Sequence, residues 1–230
     1  MTASPRPSVG RETSNLRGVT TEELTRRWVA AWAHTRGQAL GEVAGWPLVY
    51  VGSASRTTEI VCAEPDRDTW ATLLSLVAGQ PAAMLSVVSA RPERYVADLP
   101  AGIRVDRDDE TLMLLHQGTV MAPLEVDVRS YDVDREDDGD RLTIRLVTDG
   151  RVAAEGTAGL LGQDAAFDMV ETTPAYRHRG LASWVMHELS RTMTARGAGT
   201  GLLVATAEGA GLYRGLGWAD VAPSRSLRGS

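Results

Sequence analysis

The sequence predicts an α/β fold, and three observations support that prediction. Short runs with the pattern of β-strands are separated by longer segments whose apolar residues recur at helical spacing. Asp149-Gly150, a strong two-residue hairpin signal, joins two strand-like runs in the second half. A further strand-like run leads into an amphipathic helix through an arginine-bracketed glycine turn at residues 174–183. Strands and helices that alternate along a chain are typical of α/β proteins.

Length, composition and charge fit a globular enzyme. The chain has 230 residues, of which 43% are hydrophobic and 23% charged, so it can bury a sizeable core. Its apolar runs are shorter than the roughly 18 residues of a membrane span, and the N-terminus lacks a signal-peptide pattern. We therefore expect a cytoplasmic protein without a membrane partner. The single Cys62 and four scattered histidines predict neither a disulfide nor a metal site. The net charge of -6 argues against nucleic acid as a partner.

The elements of the first half follow from start signals and periodicity. Residues 1–18, rich in Pro, Ser, Arg and Gly, are expected to form a flexible tail. Thr20 and Glu23 form a capping box for a helix that runs to Gly37. The predicted elements after it are strands at 46–51 and 57–63, a helix at 66–78, a strand at 83–88, a short helix at 93–99 and a strand at 111–116.

Two acidic clusters, at residues 106–110 and 136–140, interrupt this pattern. We interpret both as solvated turns, the usual setting for a run of like charges. Attraction of a cationic amine substrate is the alternative.

The second half has clearer signals. Residues 141–148 alternate in polarity, and residues 151–161 return antiparallel after the hairpin turn. A strand at 165–173 leads into the glycine turn, and a helix follows with an apolar face made of Leu181, Val185, Met186, Leu189 and Met193. The glycines at 197–201 follow a helix and precede a strand at 202–206, the reverse of the dinucleotide-binding context, so we reject a Rossmann fold.

The turn at residues 174–183 is expected to bind phosphate. The first N–H groups of a helix lack intrahelical partners, and the helix dipole adds partial positive charge there. Gly180 permits close approach to the backbone, while Arg177 and Arg179 supply donors that stay ionised. Arg177, Gly180 and Ala182 resemble the Arg/Gln-x-x-Gly-x-Gly/Ala pattern with which the GNAT superfamily of acetyltransferases holds the pyrophosphate of acetyl-coenzyme A. Residues 211–218 are similar to that family's Leu-Tyr-x-x-Leu-Gly-aromatic motif.

The resemblance covers residues 141–220 and implies a fold and an activity. The implied fold is a GNAT acyltransferase domain at 119–230 with a mixed, mostly antiparallel central sheet, preceded by an α/β domain at 19–118. The order of elements in that first domain resembles an eroded GNAT copy, and a helix pair that only covers the catalytic sheet is the alternative. The implied activity is acetyl-CoA-dependent N-acetylation of a primary amine on a small molecule, by direct attack. A non-catalytic acyl-CoA sensor and a protein-interaction module remain open, as does a homodimer.

The same resemblance implies the site residues. Pantetheine would pair with the strand around Val170 and Thr172, and the phosphates would lie on Arg177, His178, Arg179, Gly180, Leu181, Ala182 and Ser183. Tyr213 matches the family's proton donor to the departing thiolate. For the proton of the amine, we weigh Glu171 against Asp168; their spacing of three predicts opposite faces of the strand, and Glu171 is preferred as nearer the thioester. His178 departs from the family, which usually has glycine there.

Overall fold

The computed structural model describes residues 18–116, 119, 124 and 126–229. Its helices are α1 (Thr21–Thr35), α2 (Arg67–Val77), α3 (Glu93–Val96), α4 (Leu181–Ala195) and α5 (Ala207–Gly215), with a 3-10 helix at Pro174–Tyr176. Its strands are β1 (Ala39–Val43), β2 (Trp46–Ser53), β3 (Arg56–Ala63), β4 (Ala83–Val88), β5 (Ile103–His116), β6 (Asp132–Asp137), β7 (Arg141–Thr148), β8 (Arg151–Leu161), β9 (Asp164–Thr172), β10 (Thr200–Ala205) and β11 (Ala219–Gly229). The predicted tail lies outside the described residues, apart from Gly18. None of the helices within the described ranges is long and apolar enough to cross a membrane.

All eleven of these strands form one sheet, in the order β1-β2-β3-β4-β11-β5-β10-β9-β8-β7-β6. Only the β3/β4 and β9/β10 pairs are parallel, and every other neighbouring pair is antiparallel. The prediction of a mixed, mostly antiparallel sheet is therefore confirmed. Helices α2 and α4 make the crossovers that the two parallel pairs require.

The two halves of the chain share a topology and exchange their last strands. In each half an antiparallel pair, β1–β2 or β7–β8, is followed by a strand-helix-strand unit with parallel strands, a helix and a closing strand. Helix α1 precedes this series in the first half, and strand β6 precedes it in the second. The closing strand of the second half, β11, lies between β4 and β5 of the first half. The closing strand of the first half, β5, pairs in turn with β10. Because one sheet runs through both halves, the division into domains at residue 118 stays a prediction.

The two parallel pairs differ in length, and this difference creates an opening in the sheet. Strands β3 and β4 pair over six residues, from Thr58 and Ala83 to Ala63 and Val88. Strands β9 and β10 pair over only three, and part after Ala166 and Leu202. The second half therefore has a gap between its parallel strands where the first half is closed.

Helices α1 and α4 cover opposite faces of the sheet. A Cβ added at Gly159 on β8 would meet Thr35 of α1, whereas one added at Gly156 would meet Val185 of α4. Positions three apart on a strand project to opposite faces, so the two helices lie on either side. As predicted, Thr20 caps α1 by accepting a hydrogen bond from the Glu23 N–H. The predicted apolar face of α4 is also confirmed, since its five residues are all buried.

Several sequence-based assignments are wrong, and two of them depend on the pairing of β5 with the distant β11. Residues 106–110 form part of β5 rather than a solvated turn, because β11 pairs along them. Within this stretch, Asp106 is bound by Arg228, and Glu110 is only 7% exposed. Strands β1, β6 and β11 were not predicted. The short helix near residue 93 ends at Val96 rather than Leu99.

Candidate functional site

A cavity of about 390 Å³ opens where β9 and β10 part. One wall is the end of β9, at Val170, Glu171 and Thr172. The loop and first turn of α4 form the second wall, and the start of α5, from Thr206 to Tyr213, forms the third. The cavity thus lies at the carboxyl ends of two parallel strands, where open α/β sheets commonly bind ligands.

The N-terminus of α4 at this cavity has no side-chain cap. Thr20, Asp66 and Thr206 cap α1, α2 and α5 by accepting a backbone N–H bond. Gly180 at the N-cap of α4 offers no such acceptor. Within the part of the chain that the structure describes, no side chain caps the first N–H groups of α4, and the helix dipole makes an anion a favoured ligand for them.

Gly180 is required by its backbone and by a protein neighbour. Its φ of 74° lies in the left-handed region, where a side chain is strained. An added Cβ would also stand 2.8 Å from Cγ2 of Val126. The close approach that the structure records at this glycine is thus to Val126, and a larger residue would displace either that side chain or the loop.

Two arginines flank the loop in different ways. The Arg177 side chain donates to the Thr172 carbonyl at 3.3 Å and to the exposed Glu208 carboxylate at 3.4 Å, and it lines the cavity. Arg179 donates instead to the Ala175 carbonyl and to the Tyr131 hydroxyl, and its guanidinium lies over the Tyr176 ring. Only Arg177 has its side chain on the cavity wall.

His178 adopts a backbone conformation that favours glycine. Its φ is 61°, in the left-handed region. This explains why a glycine at the matching position of the family pattern is easily accommodated. The histidine keeps the same backbone path and adds an exposed imidazole to the cavity wall.

Replacing His178 by glycine is expected to stabilise the fold slightly. The left-handed conformation destabilises a non-glycine residue by about 1 to 2 kcal/mol, and glycine removes this strain. Glycine also destabilises the fold by about 0.5 to 1 kcal/mol, because it has more conformational freedom in the unfolded chain. We expect His178→Gly to raise the free energy of unfolding in urea by up to about 1 kcal/mol. His178→Ala is the control, because alanine keeps the strain and removes the imidazole. Equal stabilisation by both variants would identify the imidazole as the cause.

Tyr213 is a buried phenol on the cavity wall. It is 8% exposed, and its ring packs against Trp218 at 6.0 Å between centroids. Burial, assisted by the negative charge of Asp168, raises its pKa to about 12. The phenol therefore keeps its proton throughout the neutral range.

Asp168 and Glu171 lie on the same face of β9, so the prediction of opposite faces is wrong. Asp168 pairs with Thr157 and Glu171 with Glu155, and these partners on β8 are two residues apart. A bulge at residues 169–170 inserts one extra residue between the two carboxylates, which shifts the alternation.

The two carboxylates differ in their partners. Asp168 accepts hydrogen bonds from the Arg36 guanidinium, from Trp32 Nε1 at 3.0 Å and from the Met169 N–H at 2.8 Å. Glu171 is exposed and lines the cavity. Asp168 is thus held in an ion pair with α1, whereas Glu171 faces solvent.

The cavity brings together most of the residues selected from the sequence. It is lined by Tyr213, Glu171, Val170, Thr172, Arg177, His178, Gly180, Leu181 and Ala182. Arg179 and Ser183 do not line it. Sequence reasoning missed five wall residues, namely Tyr176, Thr206, Glu208, Gly209 and Leu212. A usable signal existed for Thr206, because a threonine before a helix is a common N-cap.

Solved structures with a similar fold include several GNAT proteins. The chain aligns with the GCN5-related N-acetyltransferase from Kribbella flavida over 90% of its own length and 95% of that chain, with a TM-score of 0.63 and 13% identity. The alignment with a GNAT-family protein from Novosphingobium aromaticivorans covers 91% of this chain and 98% of that one, with a TM-score of 0.59 and 20% identity. A tandem GNAT protein from the clavulanic acid biosynthesis pathway aligns over 82% of each chain, with a TM-score of 0.51 and 11% identity.

These identities are too low to establish more than a shared fold. No family model and no curated protein matches the sequence. The alignments cover nine tenths of the chain, so the likeness in fold includes the first half, where the sequence has no recognisable motif. The chain therefore has the fold of the GNAT acetyltransferases.

Proposed function

We propose that this protein is an acetyl-CoA-dependent N-acetyltransferase that acts on a primary amine of a small molecule. The observation that carries the proposal is the uncapped N-terminus of α4, facing a cavity between two parting strands. In a fold shared with GNAT acetyltransferases, this is where a pyrophosphate would be held by backbone N–H groups.

The residues around the cavity suit the parts of coenzyme A. The loop from Arg177 to Ala182 and the first turn of α4 would hold the phosphates, with the Arg177 guanidinium as the charged donor. Beyond Ala166, the edge of β9 lacks a parallel partner. Its backbone groups around Val170 and Thr172 would therefore be available to the amides of pantetheine.

Acetyl-coenzyme A would supply an activated acyl thioester. In the transfer a nitrogen–carbon bond forms, the carbon–sulfur bond breaks, the amine loses a proton and the thiolate gains one. Tyr213 is the proposed donor of the second proton, because its phenol lines the cavity and stays protonated at neutral pH. Glu171 is the proposed acceptor of the first, since it lines the cavity and can pass the proton to solvent.

Two alternatives are less well supported. An acyl-CoA sensor needs the cavity but no proton donor, so the buried phenol of Tyr213 favours an enzyme. Release of free thiol from acetyl-coenzyme A in the presence of an amine separates the two, because a sensor releases none. We also propose that the first half is a degenerate GNAT-like unit that shapes the acceptor side; the shared topology of the halves and the likeness to a tandem GNAT protein support this.

Two substitutions at the phosphate loop test the proposal. Gly180→Val introduces a side chain at φ 74° and 2.8 Å from Val126, so it should nearly abolish coenzyme A binding. Arg177→Ala removes one charged donor while the backbone donors stay, so binding should weaken by about 1 to 3 kcal/mol. Calorimetric titration of folded protein with coenzyme A measures both effects.

Gly162→Val is the matched control. Gly162 has a φ of 62°, and an added Cβ meets nothing within 4 Å. It lies in the turn between β8 and β9, away from the cavity. Its valine variant therefore has a similar backbone strain but leaves the cavity unchanged. If folded Gly180→Val protein binds coenzyme A with unchanged affinity, this loop is not the phosphate site. The proposed function would then lose the observation on which it rests.

A further inference from the structure

A second cavity, of about 130 Å³, lies on the face of the sheet that α1 covers. Asp168 of β9 and Val204 of β10 both line it, so it begins at the gap between those strands. The first cavity is bordered by residues of β9 and of the segment after β10, from Val170 to Thr172 and from Thr206 to Tyr213. Both cavities therefore border the gap where β9 and β10 part.

The walls of this second cavity contain three arginine–carboxylate pairs. Arg36, which directly follows α1, pairs with Asp168 of β9. The other two pairs each lie within one strand, and both are closed at 2.8 Å: Arg56 with Glu59 on β3, and Arg107 with Glu110 on β5. The formal charges of the six groups sum to zero, and positive and negative groups both line the space.

An aromatic wall packs against two of these guanidinium groups. Trp28 and Trp32 of α1 stack at 5.5 Å between centroids with an interplanar angle of 17°. The guanidinium carbons of Arg36 and Arg56 lie 5.4 Å and 5.7 Å from the Trp32 ring centroid, within cation–π range. The Trp32 indole also donates to Asp168. Arg36 and Arg56 are thus fixed by packing as well as by their ion pairs, as a preorganised binding site requires, whereas Arg107 is held by its ion pair with Glu110.

The balance of charge selects among acceptors. A ligand with only positive charge would meet three guanidinium groups, and one with only negative charge would meet three carboxylates. A zwitterion satisfies both sets. Among the described residues, Arg107 donates one hydrogen bond, to Glu110, although a guanidinium has five N–H donors. The remaining donors suit the bidentate geometry of a carboxylate.

The position and size of the cavity restrict the ligand further. An amine that is to react at the gap must lie beside Asp168, where β9 separates from β10. Arg107 lies on β5 beyond Thr111–His116, the residues that pair with β10, and its side chain lines the cavity together with Asp168. Drug-sized ligands need about 300 Å³ or more, so 130 Å³ fits only a molecule with few heavy atoms.

We propose that the second cavity binds the acetyl acceptor, and that the acceptor is a small amino acid with its ammonium group beside Asp168 and its carboxylate on Arg107. This inference rests on the proposed acetyltransferase function. Arg107 is accordingly a specificity-determining residue. The first half of the chain supplies Arg107 and Glu110, and it also supplies Arg36 and the Arg56–Glu59 pair.

The first test compares acids with their uncharged analogues. The full chain is titrated calorimetrically, with and without coenzyme A, with a panel of small α- and ω-amino acids and the carboxamide of each. We expect at least one acid to bind 10-fold or more tightly than its carboxamide, a difference of about 1.4 kcal/mol. The inference is overturned if no acid binds, or if every carboxamide binds as tightly as its acid.

The second test uses Arg107→Lys, which keeps the charge beside Glu110 and removes the planar fork. Its control is Arg104→Lys on the same strand, whose side chain is 56% exposed and pairs with Asp106 outside the cavity. We expect the Arg107 variant to bind the preferred acid about 10-fold more weakly and its carboxamide unchanged, as for loss of one charged hydrogen bond. A purely structural role would weaken both ligands alike, and that result would contradict the inference.

The assays also separate this inference from the function on which it rests. Binding of the acid without thiol release from acetyl-coenzyme A would refute the acetyltransferase function and leave the zwitterion site standing. Thiol release with carboxamides or simple amines at the same kcat/KM as with amino acids would support the function and overturn the inference.

Discussion

A fragment that begins at residue 119 is expected to be insoluble or to aggregate, because its last strand has no place in the remaining sheet. Strand β11 pairs with β4 and β5, both of which belong to the first half. Strand β10 would lose β5 as its neighbour, and the face of β8 and β9 under α1 would be exposed. Unpaired strand edges beside an apolar face are a known cause of aggregation.

Supplying the missing half as a separate chain is the control. Residues 1–118 and 119–230, expressed together, should assemble into one soluble complex, because β5 and β11 can each pair with the other fragment. Sedimentation and circular dichroism of the fragments, alone and together, measure the outcome. A soluble, folded C-terminal fragment that acetylates the native acceptor with unaltered kcat/KM would show that the first half is an independent appendage.

Tyr213→Phe is expected to lower kcat by roughly 10-fold to 1000-fold with little change in coenzyme A affinity, in line with the loss of a general acid. The phenylalanine keeps the ring packed on Trp218 and removes only the hydroxyl group. Tyr95→Phe is the matched control: Tyr95 is also buried and donates its hydroxyl hydrogen to the Pro65 carbonyl, away from the cavity. Survival of kcat in the Tyr213 variant would make this tyrosine a packing residue.

The pH dependence of stability and of kcat provides a second test of the environment of Tyr213. Its pKa is raised to about 12 in the folded protein, against about 10 in the unfolded chain. The contribution of the protonated Tyr213 phenol to the free energy of unfolding is therefore complete below pH 10 and is lost as the pH rises towards 12. Over that window the wild-type protein should lose stability relative to Tyr213→Phe by roughly 1.4 kcal/mol per pH unit. The kcat ratio of the two proteins should stay constant between pH 7 and pH 10. A change in that ratio near pH 8 would show that the phenol is not held in this environment.

Local signals account for the parts of the molecule that the sequence predicts well. The cap of α1 at Thr20, the hairpin at Asp149-Gly150 and the apolar face of α4 each depend on residues within a turn or two of one another. The loop before α4 is equally local, because the glycine at the N-cap and Arg177 are only three residues apart in the chain. Such features can be predicted from the sequence because they are stabilised by interactions among a few residues that are close in the chain.

Strand β11 shows why other parts could not be predicted. Its sequence contains Pro223 and alternates poorly, and proline argues against a central strand. The structure accommodates this proline beside an irregularity in the β11/β5 register, between Asp220 and Ala222. Only the two neighbours, more than a hundred residues away, make this segment a strand. The same pairing turns residues 106–110 from an apparent acidic turn into part of β5.

The sequence by itself determined the α/β class, the glycine loop before α4 and the tyrosine on α5, because each is encoded in contiguous residues with specific backbone requirements. The tertiary structure decided the exchange of β5 and β11, the placement of Asp168 and Glu171 on one face, and the charged cavity beneath α1. A bulge changes which face a side chain occupies, and an ion pair such as Arg36 with Asp168 joins residues 132 positions apart. Such contacts depend on strand register and on helix placement across the whole sheet, which no local pattern specifies.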